Sequence, residues 1–249
     1  MIKFLLMYLM LLSLVSAETV QVAVGKSISE MMVKVRSGDT IMLSSGVYKE
    51  NIVLRDKVIL KGKGVDSTTI KGDGRGSVVT MNGNSTIEDL TVLGGQNGIQ
   101  VQSGTAKITS VVVVENRGSG ILALRALPEI RATIVARNGG NGIQASTIGG
   151  GSLILDSLTF AENGGFGFEY DGTVPVSLKS CLFYNNGIKA IKDSDRQVIA
   201  SSNCIVPEQK EYSSSNITGK LLFQSEKKAK KLYIQDKTSP GFGMGAIVR

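Results

Sequence analysis

The chain has 249 residues, with 28 Lys plus Arg against 21 Asp plus Glu, a formal net charge of +7, and neither histidine nor tryptophan. Without imidazole, Ser-His-Asp and Cys-His nucleophile systems, a histidine base and His-ligated zinc or copper are excluded, and two cysteines cannot alone build a Cys-only zinc or iron–sulfur site. At 42% hydrophobic and 20% charged, the composition is that of a globular protein with one substantial core or two small ones, neither disordered nor membrane-embedded.

In chain order, Met1-Ile2-Lys3 leads into an apolar run from Phe4 to Val15 and then Ser16-Ala17, with small residues at the −3 and −1 positions before Glu18. About a dozen apolar residues fall short of the ~20 that a membrane span needs, so residues 1–17 are expected to be a cleaved secretory signal peptide. Lys3 is the only charge in that segment, which leaves the mature chain at +6 and bound for a secreted, periplasmic or cell-surface location. Residues 18–38 follow as an N-terminal strand and helix. Ile28, Met31, Met32 and Val35 fall at i, i+3, i+4 and i+7, Ser27 and Glu30 have capping-box spacing, and Gly38 closes the segment. Strand-like runs come next at Thr40 to Leu43, Asn51 to Leu54, Lys57 to Leu60 and Ser77 to Met81.

A repeat then decides the fold. Gly98-Ile99, Gly120-Ile121, Gly142-Ile143, Gly167-Phe168 and Gly187-Ile188 place their apolar members 22, 22, 25 and 20 residues apart. Asn116, Asn138 and Asn163 stand four residues before a glycine, and Asn186 fits a shortened turn. Three apolar columns run through the same units: Ile87, Ile108, Ile130, Leu155, Leu178; then Leu90, Val111, Thr133, Leu158, Cys181; then Val92, Val113, Val135, Phe160, Phe183. No unit can bury its apolar face alone, so stacking is required. A period near 22 residues without helices predicts an all-β, right-handed parallel β-helix (a solenoid) over 39–206, with a short N-terminal capping helix and a C-terminal capping segment over 207–249. The corner asparagines are expected to take left-handed geometry and to stack into an amide ladder, Asn116, Asn138, Asn163 and Asn186, with the glycines supplying positive φ. Cys181 and Cys204, 23 residues apart, should lie above one another in adjacent coils. A spacing of about 4.8 Å admits both a disulfide and a pair of packed thiols.

Ser37-Gly38-Asp39-Thr40-Ile41, Gly46-Val47-Tyr48-Lys49-Glu50, Val58-Ile59-Leu60-Lys61-Gly62-Lys63-Gly64 and Thr68-Thr69-Ile70-Lys71-Gly72 resemble the opening of the pectin lyase-like β-helix superfamily, over roughly 24–206. That resemblance implies the fold and a choice among pectate lyases, methylesterases, polygalacturonases, alginate lyases, epimerases and non-enzymatic relatives. The polygalacturonase and methylesterase signatures are missing, and histidine-bearing ones cannot occur. A lyase remains open, because β-elimination needs only a cation to acidify the proton and an Arg or Lys base.

One cluster suits that chemistry. Glu169, Tyr170 and Asp171 follow Phe168, and Lys189, Lys192, Asp193, Asp195 and Arg196 follow one coil later. Asp171, Asp193 and Asp195 would hold Ca²⁺, Lys192 and Arg196 would supply base and charge, and Glu169, Tyr170, Asp171 and Lys189 would touch substrate. Two functions follow: non-catalytic binding of an extended polysaccharide, acidic ones being favoured by the +6 charge, or of a surface partner, with no cofactor; alternatively, a calcium-assisted uronate lyase. Glu115, Arg137, Glu162 and Asn185 form one exposed column worth little individually. The basic residues Lys227, Lys228, Lys230 and Lys231 lack interleaved aromatics, so nucleic acid is not an expected partner. No membrane span is expected.

Overall fold

The computed structural model describes residues 16–147, 151–218 and 244–246. Nearly every regular element is a short strand, and the strands pair in parallel with the equivalent strand about one repeat away. They form two sheets. A 15-stranded sheet supplies two sides of each coil and a seven-stranded sheet supplies the third, which is the three-sided parallel solenoid that the repeat predicts.

The inward columns follow the predicted register: Ile87, Ile108, Ile130, Leu155 and Leu178 are in line, and so are Val92, Val113, Val135, Phe160 and Phe183. All ten are fully buried. At about 1.5–3 kcal/mol for each buried aliphatic or aromatic side chain, these columns are the main source of stability. Phe160 and Phe183 stack at 4.5 Å between ring centroids, with ring planes 7° apart.

The first strand, Thr19–Val22, leads into the helix Ile28–Lys34, which buries Ile28 and Met32. Ser27 Oγ accepts from the Glu30 amide at 3.2 Å, as the capping-box spacing predicts. Glu50 completes the cap from a distant loop, accepting from the Ile28 and Ser29 amides at 2.6 and 3.1 Å. The strands Thr40–Leu43 and Ser77–Met81 have their predicted bounds, while the other two expected runs shorten and shift to Ile52–Leu54 and Ile59–Lys61. Two further strands, Gly46–Tyr48 and Thr68–Lys71, pair with one another.

The corners differ from expectation in an informative way. Left-handed backbone sits on two columns of non-glycine residues: Asp89, Ser110, Ala132, Ser157, Ser180 and Ser202 at one corner, and Glu115, Arg137, Glu162 and Asn185 at the next, with φ between 45° and 58° throughout. The ladder asparagines are the residues immediately after the second column. The bend therefore falls on a solvent-facing side chain, which leaves the following Asn free to turn its amide inward. Asn116 Nδ2 donates to Asn138 Oδ1 at 2.9 Å, Asn138 Nδ2 to Asn163 Oδ1 at 3.0 Å, and Asn163 Nδ2 to Asn186 Oδ1 at 2.9 Å. Each Oδ1 also accepts the backbone N–H of the Asn in the coil before it, at 3.2 Å.

The glycines of the repeat do not supply positive φ either. Gly98, Gly120, Gly142 and Gly167 are needed for space, since a Cβ on any of them would come within 3.0 Å of a ladder amide or its neighbours, Val113 and Asn116 in the case of Gly98. Gly187 does not belong to this column. Phe168 pairs with Ile191, so Ala190 takes the place of the glycine, and Gly187 stacks on Gly164 instead. The turn after Asn186 is of ordinary length.

The cysteine register is also displaced by one residue. Cys204 pairs with Leu182, and Asn203 continues the column of Cys181, accepting its backbone N–H at 2.7 Å. A 22-residue step, rather than 23, keeps an amide in that polar corner column, where Thr133 Oγ1 likewise accepts from the Val111 amide. Cys181 is a buried free thiol, pushed up to about 12 by desolvation. The Cys204 side chain lies outside the described residues.

After Cys204–Val206, the last strand among the described residues, a 3₁₀ turn spans Lys210–Ser215. Residues 244–246 return to the outside of the long sheet. There Gly245 N donates to Ser180 O at 2.7 Å, Ala246 N donates to Thr159 Oγ1 at 3.0 Å, and Ala246 packs on an external apolar patch that includes Val112, Val114 and Ile134. Among the described residues, no helix is long and apolar enough to cross a membrane. Of the predicted leader, residues 1–17, only Ser16 and Ala17 are among the described residues, and the basic run at 227–231 lies outside them.

Candidate functional site

Alternation along each strand of the seven-stranded sheet turns every second residue outward. Thr80, Gln100, Leu122, Gln144, Glu169 and Lys192 are in register along that face. A flanking row ties into them. Ser77 Oγ donates to Gln100 Oε1 at 3.0 Å, Ser119 Oγ to Gln144 Oε1 at 3.4 Å, and Asn141 Nδ2 to Glu169 Oε2 at 2.5 Å. Asn141 Oδ1 in turn accepts from the Phe166 amide at 2.8 Å. The result is a preorganised strip of amides and hydroxyls, interrupted by Leu122 and bordered by the exposed Leu124 and Val53, that ends in an aromatic ring and a charge pair.

That end holds the residues singled out from the sequence. Lys192 Nζ lies 2.6 Å from Glu169 Oε1 and 5.5 Å above the Phe166 ring. Glu169 holds the Lys192 ammonium above its usual range, with a smaller contribution from Asp171. A general base needs the opposite shift. Lys189 Nζ lies 3.5 Å from Glu211, with both side chains exposed.

Two of the expected roles are not what the structure assigns. Tyr170 faces the core and is fully buried, its hydroxyl 2.6 Å from Thr147 Oγ1 and 2.9 Å from Val174 O, so it cannot touch a ligand on the surface. Asp193 turns back onto its own loop, accepting from the Gln197 amide at 3.1 Å and the Val198 amide at 2.8 Å. Asp171 and Asp195 remain exposed, and among the described residues no three acidic or cysteine side chains converge as a cation cage. Strand alternation explains the first result, since Phe168 and Tyr170 face inward and Glu169 outward, and the loop after the paired strand explains the second, since its amides occupy both Asp193 oxygens.

A cleft of about 890 Å³ opens beside the strip at the C-terminal end of the solenoid, lined by Phe166, Lys189, Lys192, Arg196, Ile199 and Tyr212 among others. Ile188 and Ile199 are 60% and 67% exposed there. Burial, and then the nearby Asp193 charge, hold the Tyr212 phenol up at about 12, so it is a neutral hydrogen-bonding group at physiological pH. Arg196 stands at the rim with φ 56°. The cleft thus combines an aromatic face, an apolar floor, a phenol, three cations and the carboxylates of Asp193 and Glu211, a mixture of apolar surface and polar anchors of the kind found in ligand sites.

Gln100, Gln144, Asn141 and Phe166 were not singled out from the sequence. Their signal is present in it: Gln100, Gln144 and Glu169 each follow the repeated Gly-Ile or Gly-Phe pair, which makes them the outward members of one column.

The family described as "Right handed beta helix region" matches residues 76–224. No curated protein matches the chain. Among solved structures, the alginate lyase from Paenibacillus sp. str. FPU-7 superposes with a TM-score of 0.58 at 13% identity, over 75% of this chain and 76% of that one. Pectate lyase Pel9A superposes with a TM-score of 0.53 at 12% identity, over 87% and 74%. At such identities the likeness concerns the fold.

Proposed function

We propose that this chain, which belongs to the right-handed β-helix family, binds an extended polysaccharide along the outer face of its seven-stranded sheet without cleaving it. The observation that carries the reading is the hydrogen-bonded strip from Gln100 to Glu169 ending at Phe166, Lys192 and the cleft. Side-chain amides and hydroxyls spaced by the strand separation of about 4.8 Å match a chain of sugar hydroxyls, and an aromatic ring accepts the apolar face of a pyranose. Lys189 and Lys192 at that end are paired with Glu211 and Glu169, so the attraction for uronic acid polymers rests on Arg196 at the rim and on the protein's net charge of +7. The two superposed enzymes are named for alginate and pectate, both uronates, and this is consistent with that choice. Export past the membrane, which the apolar leader predicts, would bring the protein to such polymers.

Two observations support the non-catalytic reading: Glu169 pairs with Lys192 and favours its charged form, and Asp193 closes its own turn. Affinity electrophoresis through gels containing polygalacturonate, alginate or a neutral glucan tests the reading. Retardation is expected in the acidic gels and loss of most of it in Lys192→Gln. Equal mobility in all three gels, or an unchanged Lys192→Gln, contradicts it.

A further inference from the structure

We infer that the Ala17–Glu18 bond is a processing site, and that its cleavage converts a hydrogen bond between Glu18 N and Asp39 into an ion pair that fastens the first strand. The geometry is already in place. Glu18 N lies 2.9 Å from Asp39 Oδ1, and Asp39 Oδ2 accepts from the Arg36 amide at 2.7 Å. Asp39 is only 5% exposed. The carbonyl of Glu18 is engaged as well, accepting from the Thr40 amide at 2.8 Å. The strand Thr19–Val22 begins one residue later, pairing Thr19 with Thr40. Among the described residues Glu18 is thus the first fixed to the solenoid, whereas Ser16 and Ala17 are exposed and leave the bond between Ala17 and Glu18 accessible.

The sequence marks the same bond independently, with a basic start, a short apolar run and small residues at the −3 and −1 positions. A leader peptidase would add one water across it. Ala17 leaves as a carboxylate on the leader, and the Glu18 nitrogen becomes an α-ammonium, with no other reactant required. Before cleavage this nitrogen is a neutral amide facing a carboxylate. Afterwards the same atom carries a full charge at the same position, and charge-assisted hydrogen bonds are roughly twice as strong as neutral ones. Lys34 and Arg36 line the same small cleft, so the Asp39 carboxylate is what makes it hospitable to a third cation.

The experiment needs no glycan, so its failure is separable from that of the binding reading. The chain is expressed with its leader, exported, and the N-terminus sequenced. Glu18 is expected, and any other first residue overturns the proposal. The α-amine of this mature protein is then acetylated at neutral pH beside a second protein begun at Ser16 behind an initiator methionine, and beside mature Asp39→Asn. An ammonium held by Asp39 reacts at least tenfold more slowly than the displaced amine of the longer chain, and Asp39→Asn restores fast labelling. Should Asp39→Asn fail to fold, the comparison of the two chain lengths decides alone. Equal rates in mature and longer chains overturn the ion pair.

Discussion

Replacing Asn138 with Ala removes the middle rung of the amide ladder, and the structure sets the size of the effect. Asn138 Oδ1 accepts from Asn116 Nδ2 at 2.9 Å and Asn116 N at 3.2 Å, while Asn138 Nδ2 donates to Asn163 Oδ1 at 3.0 Å and Val113 O at 3.2 Å. Asn138 is 2% exposed, so water does not replace these partners without opening the corner. Four bonds at about 1 kcal/mol each, with Asn116 N left as a buried orphan donor, give a loss of about 3–5 kcal/mol. At roughly 2–4 °C per kcal/mol for a chain of this size, the unfolding midpoint falls by about 10 °C. Gln144→Ala, which removes a half-buried side chain and one long contact to Ser119, is the control and should cost less than about 1 kcal/mol. Thermal melts followed by circular dichroism measure both. Equal shifts would refute the argument that the ladder, rather than the sheet alone, holds the corner closed.

Tyr170→Phe removes the buried contacts to Thr147 and Val174 and should cost about 1–3 kcal/mol in urea unfolding while leaving polyuronate affinity unchanged; a loss of affinity would restore Tyr170 as a ligand contact. Cys181, raised from 9.0 to about 12 on folding, stays protonated in the folded state while the unfolded thiol ionises. Its contribution is therefore complete below about pH 9 and is lost as pH rises towards about 12, so stability should fall more steeply over that window in the wild type than in Cys181→Ala. Alkylation of Cys181 in the native protein should also be at least a hundredfold slower than in urea, and a readily alkylated native thiol would contradict its burial.

The fold was legible in the sequence because a solenoid writes its period directly. Ile87 to Leu178 and Val92 to Phe183 recur at the coil length, and a side chain that must stack on its counterpart one coil away is chosen for that contact alone. The helix cap was half legible: Ser27 and Glu30 are local, whereas Glu50 reaches the Ile28 and Ser29 amides from over twenty residues away. Register was less secure where the pattern thinned. Gly187-Ile188 imitates the repeat, yet Ala190-Ile191 occupies its place, because Ala190 keeps the ordinary four-residue step from Asn186. The cysteines misled for a similar reason, an identity match one residue out of step with the polar corner that needs Asn203. Composition at the site named Glu169 and Lys192 through their charge, and both do meet. The neutral members of the strip, Gln100 and Gln144, carry no chemical signature of their own and emerge only once alternation is applied to a sheet whose inner side is known.

Hydrogen exchange of the mature protein, with and without a saturating polyuronate oligomer, tests the binding claim most directly, with absorbance of the same mixture monitored for unsaturated sugar. Slowed exchange is expected in the segments that carry Gln144, Phe166 to Glu169 and Lys189 to Arg196, with the outer face of the long sheet unaffected and no rise in absorbance. Slowed exchange confined to the long sheet, no change anywhere, or growth of the unsaturated product would contradict a non-catalytic glycan strip on the seven-stranded face.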